Sequence, residues 1–169
     1  MKGRKRKPIA VFLKTVGILL LLLLAAFCLP LTVPRFFGYH IYSVVSGSME
    51  PTIPTGSLVY IREAEPEEIA AGDVIAFYGA ADSASIITHR VVENRVVMGE
   101  FSTKGDANQA PDMNLVPYAR LIGRVERSVP KAGAIAAVFT SAQGKAMAGC
   151  AVLGAVLLQA AAALIESRR

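Results

Sequence analysis

The stretch Ser46-Gly47-Ser48 carries the residues best suited to nucleophilic chemistry. A serine hydroxyl is a poor nucleophile until a neighbouring base removes its proton. Gly47 lets the backbone turn tightly beside Ser48, and the hydroxyl of Ser46 can join the Ser48 N–H in stabilising an oxyanion. On its own such a triplet is more typical of a solvated turn, so the prediction of a nucleophile depends on finding a base elsewhere.

The candidate base is His89, in the strand-like stretch I-I-T-H-R-V-V at 86–92. A neutral imidazole is well suited to general-base work near pH 7, and the alternative is a half-exposed strand histidine without a catalytic role. No lysine occurs between Ser48 and Thr103, so a Ser–Lys dyad would need Lys104 or a lysine near the second apolar segment. His40 follows the first apolar segment and is predicted to lie at the membrane interface. His89 is the better base by elimination.

Two carboxylates that can support an imidazole lie in T-K-G-D-A-N-Q-A-P-D at 103–112. Asp106 follows Gly105 in a turn signal, and Asp112 follows Pro111, so each can simply cap a turn. Either can instead hold an imidazole in one tautomer and stabilise its cation, as the acid of a Ser–His–Asp arrangement does. The residues alone leave both alternatives open.

The region that must position these side chains is predicted to be β structure. Short β-branched or aromatic runs alternate with turn residues through 35–131, and the acidic stretch Glu63–Ala71 is expected to form one helical turn. About 95 residues suffice for a small β-barrel or folded sheet with a core. The predicted strands are Ser57–Arg62, Asp73–Tyr78, Ile86–Val92, Arg95–Val97, Glu100–Lys104 and Leu121–Arg127.

Two apolar segments flank this region, at 9–33 and 146–165, and each is long enough to span a bilayer. The first could be a cleaved signal, but its apolar run is too long and lacks a small-x-small site, which favours an uncleaved anchor. The alternative for the second is a buried or surface-lying helix. The predicted order is a basic tail (1–8), a span (9–33), a β domain (34–131), a connector (132–145), a span (146–165) and a tail (166–169).

Charge and cysteine usage exclude several functions. The chain has a net charge of +5, yet residues 35–131 carry nine cations against twelve acids, so the basic character belongs to the tails. A nucleic-acid-binding core would need a clustered basic face, and none is predicted. Cys28 and Cys150 both lie in the apolar segments as expected for buried thiols, which leaves the β region without a disulfide or a cysteine-ligated metal. Neither a cofactor nor a metal is predicted.

Four stretches together resemble a known family. They are S-G-S-M-E-P-T-I-P-T-G at 46–56, G-D-V-I-A-F at 72–77, I-T-H-R-V-V at 87–92 and T-K-G-D-A-N-Q-A-P-D at 103–112. In this order they resemble the type I signal peptidases of the endoplasmic-reticulum and archaeal branch, which some Gram-positive bacteria also carry. That branch has His where the main bacterial branch has Lys. The match covers about residues 40–127.

The resemblance implies a mainly β catalytic domain between two transmembrane helices, in a serine endopeptidase that removes signal peptides from exported preproteins. It implies that Ser48 is the nucleophile, that His89 is the general base and that Asp112 orients His89. Asp106 then supports the site, and Ser46 contributes to an oxyanion hole. The implied partners are secretory preproteins and the lipid bilayer. The alternative is a membrane-anchored β domain that binds an extracellular partner without catalysis.

The distribution of cations predicts the topology. Residues 1–14 hold six cations and no acid, and two arginines end the chain, so both termini should be cytoplasmic and residues 35–131 outside the cell membrane. Protease added outside intact cells should therefore digest the central domain and spare both termini. Cleavage at Lys2–Lys7 from outside would overturn this orientation.

Overall fold

The chain folds into two compact units, and the computed structural model describes residues 8–79 and 85–167. Within the described residues, one unit contains 8–32 and 138–167, and the other contains 33–79 and 85–137. The first unit is helical, and the second holds the sheet.

The helical unit consists mainly of two long helices that pack against each other. The helices of the chain are α1 (Pro8–Thr32), α2 (Ala132–Thr140) and α3 (Ala142–Ser167), so the predicted connector at 132–145 is itself largely helical. Small residues are buried in α1 and α3, namely Ala10, Gly17, Ala155 and Ala162. Small side chains let two helix backbones approach closely, as is typical of helix pairs in lipid.

Polar contacts also join α1 to α3. Lys14 Nζ lies 2.6 Å from Glu166 Oε2, and Gln159 Nε2 donates to the Lys14 carbonyl at 3.2 Å. A 3₁₀ helix, Val33–Phe37, follows α1 directly. The segments Pro8–Phe37 and Ala142–Ser167 are long and apolar enough to cross a membrane, and most of their residues are not buried by protein. The polar side chain of Gln159, in a segment otherwise suited to lipid, therefore has a protein partner.

The second unit contains one seven-stranded sheet in which every neighbouring pair is antiparallel. The mainly β fold class predicted from the sequence is confirmed. The spatial order is β1-β2-β7-β3-β4-β5-β6. The strands are β1 (Tyr39–Ser43), β2 (Leu58–Arg62), β3 (Val74–Tyr78), β4 (Ile86–Arg95), β5 (Glu100–Lys104), β6 (Val116–Pro117) and β7 (Leu121–Val129).

Two clusters of buried apolar side chains form the core of the sheet unit. The first contains Met49 and Ile53 from the β1–β2 connection together with side chains of β2, β3 and β7. The second lies around Phe101, whose ring centroid is 4.7 Å from that of Tyr118. Because burying an apolar side chain is worth about 1.5–3 kcal/mol, Met49 and Ile53 fix their loop to the sheet.

Strands β2, β3 and β7 differ from the predicted ones by only one or two residues at one end, and larger differences occur at three places. Ile86–Val92 and Arg95–Val97, predicted as separate strands, are one strand up to Arg95, and Val96–Gly99 is a turn in which Gly99 has φ 68°. The pairing of β4 with β5 shifts its register between Val91 and Glu93, and β4 continues beyond this irregularity to Arg95. Strands β1 and β6 were not predicted, because one adjoins the first apolar segment and the other is two residues long. The acidic stretch contains the expected turn, a 3₁₀ helix at Pro66–Glu68.

Candidate active site

The loop that carries Ser48 is the connection between β1 and β2. Its two ends are tied together, since Val44 N–H donates to the Ser57 carbonyl and Gly56 N–H to the Val44 carbonyl, both at 2.8 Å. The side chain of Met49, next to Ser48, is almost completely buried. The loop therefore holds Ser48 at a fixed, partly exposed position above the core.

Glu50 braces the same loop from the solvent side. Its Oε1 accepts a hydrogen bond from Thr55 N–H at 3.2 Å and from Thr55 Oγ1 at 2.9 Å. These two bonds lower the pKa of the Glu50 carboxyl, the one from the backbone N–H contributing most. The carboxyl group of Glu50 also lies against Gly47, where an added Cβ would be 3.4 Å from Glu50 Cδ.

His89 lies on β4, between β3 and β5, and its side chain is buried. Its ring forms a T-shaped pair with that of Phe77, with centroids 6.3 Å apart and an interplanar angle of 72°. Nδ1 lies 2.6 Å from Asp112 Oδ2. An ionised carboxylate only accepts, so Nδ1 then carries the proton and the lone pair of the neutral ring is on Nε2.

Gly105 is the point at which the serine loop and the histidine meet. A Cβ atom added there would lie 2.6 Å from the Ser48 carbonyl oxygen and 3.0 Å from His89 Nε2. The loop that contains Gly105 also binds the Ser48 backbone, because Ala107 N–H donates to the Ser48 carbonyl at 2.9 Å. Only a residue without a side chain allows Nε2 and the Ser48 segment to come this close.

The two predicted acids have different partners. Asp112 contacts His89, whereas Asp106 forms a forked pair with Arg90, at 2.8 Å to Nε and 2.6 Å to Nη2. Hydrogen bonds from Arg90, and to a smaller degree from Thr52, lower the pKa of the Asp106 carboxyl. Arg90 Nη1 also donates to the Gly72 carbonyl at 2.7 Å. Asp106 is therefore the ion-pair partner of Arg90, and the pair links the loop after β5 to β4.

Ser46 and His40, the other residues singled out in the sequence, lie in different places. Ser46 Oγ is 3.4 Å from Ser48 Oγ, so the two hydroxyls are neighbours. His40 lies on β1 and its Nε2 is 3.1 Å from Glu63 Oε1, away from His89 and Asp112 in the sheet order. The structure thus brings Ser46 close to Ser48, and it pairs His40 with a surface carboxylate.

A cavity of about 370 Å³ opens beside Ser48. Ser46 and Ser48 lie on its wall, and the remaining lining is largely apolar, including Val44, Met49, Ile53 and Ile86. Within residues 8–79 and 85–167 no group of three or more His, Cys, Asp or Glu side chains is arranged to hold a metal ion. What the site offers is a hydroxyl, an imidazole with a carboxylate behind it, and an apolar recess.

Sequence reasoning did not single out Arg90, Thr103 or Gly105 as parts of the site. Arg90 follows His89 directly, and its charge is opposite to that of Asp106, but nothing in the sequence pairs them across 16 residues. Thr103 and Gly105 lie inside the predicted acidic stretch. The functional importance of a glycine there becomes clear only when the Ser48 carbonyl and His89 Nε2 are seen to approach it.

Comparisons with known proteins point to one class, the signal peptidases. Residues 13–93 match the family model described as "Signal peptidase, peptidase S26". Signal peptidase I W of Bacillus subtilis is 46% identical over 83 residues, which cover 47% of this chain and 42% of that protein. The signal peptidase complex catalytic subunit SEC11C of Homo sapiens is 29% identical over 125 residues, 68% of this chain and 65% of that protein.

A third relative is the signal peptidase complex catalytic subunit SEC11 of Eremothecium gossypii, 35% identical over 111 residues, 59% of this chain and 65% of that protein. The chain thus spans less than two thirds of the length of these relatives. Residues 13–93 are thus similar to the signal peptidase family, peptidase S26, and the predicted resemblance to type I signal peptidases of the Ser–His branch is confirmed.

The different partners of the two acids predict different mutant phenotypes. Asp112→Asn should lower kcat for peptide cleavage by several orders of magnitude while the protein stays folded, because an amide cannot stabilise the imidazolium. Asp106→Asn should keep partial activity but lose about 1.5–3 kcal/mol of stability, the range for hydrogen bonds to charged groups. Activity and thermal unfolding in detergent measure both effects.

The pH dependence of stability provides a control for the Asp106→Asn variant. The pKa of this carboxyl is lower in the folded protein than in the unfolded chain. Its pair with Arg90 therefore stabilises the fold at pH values above the unfolded-state pKa. This stabilisation is lost as the pH falls through the folded-state pKa. Asp106→Asn should lack this acid-sensitive part of the stability. If Asp106→Asn were inactive and Asp112→Asn active, with both folded, the orienting role would belong to Asp106.

Proposed function

We propose that this chain is a membrane-bound serine endopeptidase, a type I signal peptidase, that cleaves N-terminal signal peptides from exported preproteins. The family match and the relatives named above support the reaction class. The observation that carries the assignment of residues is the approach of His89 Nε2 and the Ser48 backbone to Gly105, with Asp112 on the opposite nitrogen of the ring.

In the proposed mechanism Ser48 Oγ attacks the carbonyl carbon of the scissile peptide bond, and His89 Nε2 takes the hydroxyl proton. The imidazolium that forms is stabilised by Asp112 at Nδ1. The Ser48 N–H and the Ser46 hydroxyl stabilise the oxyanion, and His89 returns the proton to the leaving amine. Water, deprotonated by the same imidazole, then hydrolyses the acyl-enzyme and restores Ser48.

The proposed location of the site is the outer surface of the cell membrane. The helices α1 and α3 serve as the two membrane spans, both termini are cytoplasmic, and the sheet unit is extracytoplasmic. In sequence, Ser48 follows the end of the candidate span Pro8–Phe37 closely. A short tether of this kind keeps the nucleophile near the bilayer, where the end of a translocated signal peptide emerges.

The cavity beside Ser48 is the proposed binding site for substrate residues that precede the cleaved bond. Its apolar lining and its size, about 370 Å³, suit short apolar side chains. The mechanism requires no cofactor or metal, because the hydroxyl, imidazole and carboxylate supply the nucleophile, the proton acceptor and its support. The proposed partners are the preprotein and the bilayer.

The alternative function is a non-catalytic β domain that binds an extracellular partner. The buried contact between His89 and Asp112 favours the catalytic function, because their side chains are only 11% and 22% exposed. Such a pair contributes little to the binding of a partner at the surface. It is the arrangement that a general base needs.

The direct test is cleavage of a preprotein with an A-x-A site by purified full-length protein in detergent. Ser48→Ala should abolish cleavage, because the proposed covalent intermediate forms on the Ser48 hydroxyl. Ser128→Ala, which removes a serine hydroxyl from β7, is the matched control and should cleave at the wild-type rate. Electrophoresis and mass spectrometry of the products give the rate and the cleaved bond.

Cleavage by wild type and by Ser128→Ala but not by Ser48→Ala supports the proposal. Equal cleavage by Ser48→Ala and wild type would remove Ser48 as the nucleophile. Absence of cleavage by a folded wild-type protein, combined with unchanged partner binding by Ser48→Ala, would favour the non-catalytic function.

A further inference from the structure

Thr103 contacts the same carboxylate of Asp112 that the histidine contacts. It lies on β5 and its side chain is completely buried. Its hydroxyl donates to Asp112 Oδ2 at 2.7 Å, and the same oxygen lies 2.6 Å from His89 Nδ1. One carboxylate oxygen thus receives a hydroxyl and an imidazole hydrogen bond together.

A second bond joins the same two residues through the backbone. Asp112 N–H donates to the Thr103 carbonyl at 2.8 Å. Thr103 therefore holds Asp112 at its main chain and at its side chain. These two contacts fix both the position of the residue and the rotation of its carboxylate.

Asp112 needs such support because it lies outside the regular structure. No strand or helix occurs from 105 to 115, whereas Thr103 is paired with Val91 in the β4–β5 ladder. His89 lies on the same strand β4 as Val91. Through Thr103 the loop carboxylate is therefore held in register with the strand that carries the imidazole.

We infer that Thr103 is a positioning residue for the catalytic histidine, acting through Asp112. Its hydroxyl holds Oδ2 where it can accept the Nδ1 proton, so that Nε2 keeps the lone pair that faces the serine loop. Thr103 contacts neither substrate nor the reacting atoms. The inference rests on the proposed function, because it assigns a role within the same reaction.

Four variants separate the hydroxyl from the bulk of the side chain. Thr103→Val replaces the hydroxyl by a methyl group of similar size. Thr103→Ser and Thr103→Ala both lose the methyl group and differ from each other only in the hydroxyl. Ser102→Ala removes a hydroxyl from the neighbouring position of β5, whose side chain points to the other face of the sheet, and is the matched control.

Thr103→Val and Thr103→Ala should lower kcat by about 10- to 100-fold with KM nearly unchanged, the range given by loss of one hydrogen bond to a charged group. Thr103→Ser should keep kcat within about threefold of wild type, and Ser102→Ala should match wild type. The assay is cleavage of the A-x-A preprotein by the full-length protein, with thermal unfolding measured alongside. Rescue of kcat by Ser relative to Ala is the result that a purely structural role does not produce.

The inference is overturned if Thr103→Ala and Thr103→Ser have equal kcat, whatever their stabilities. It is also overturned if Thr103→Val cleaves as fast as wild type. Because the comparison of Ala with Ser does not need the Val variant to fold, poor folding of that variant leaves the test intact. Failure of the proposed function has a different signature, since then wild type and Ser48→Ala would behave alike.

Discussion

A single hydrogen bond, 2.6 Å between His89 Nδ1 and Asp112 Oδ2, joins residues 23 positions apart, and the proposed chemistry depends on it. It fixes which imidazole nitrogen carries the proton and therefore which one can accept another. The pair is largely shielded from water, and a hydrogen bond in such surroundings is stronger than in solvent, while an unpaired partner would be costly. The sheet keeps these two groups together, because β4 carries the imidazole and β5 carries Thr103, whose hydroxyl binds the carboxylate.

Close approach at Gly105 is the second constraint. The Ser48 loop, the histidine strand and the loop after β5 all reach this residue. An added Cβ would lie 2.6 Å from the Ser48 carbonyl oxygen, 2.9 Å from Asn108 Nδ2 and 3.0 Å from His89 Nε2. Met49 and Ile53 hold the serine loop on the core, while Arg90 and Asp106 tie β4 to the loop after β5. The buried apolar contacts and the ion pair thus hold in place the segments that meet at Gly105.

Much of this arrangement can be predicted from the sequence. The serine and histidine are recognisable by residue type, by the absence of a lysine between them and by the four family-like stretches. Strand β5 is predicted at its observed bounds, because Gly99 and Gly105 flank a short run of strand-forming residues. The partners of the two acids are harder to predict from the sequence. Turn propensity is a local property, whereas the pairing of Asp106 with Arg90 arises only when β4 and β5 align. Thr103 has no local signal, since its role depends on the return of the chain at Asp112.

The central claim is that the serine and the histidine act as one unit, and the rates of His89→Ala and of the double variant Ser48→Ala/His89→Ala test it most directly. If proton transfer and nucleophilic attack are parts of one pathway, either single substitution removes nearly all of that pathway and the double substitution costs no more. The account predicts equal residual rates of preprotein cleavage for both single variants and the double variant, all of them folded. Substantial activity of His89→Ala would contradict the account. So would a double variant whose rate is reduced, relative to wild type, by the product of the two single reductions.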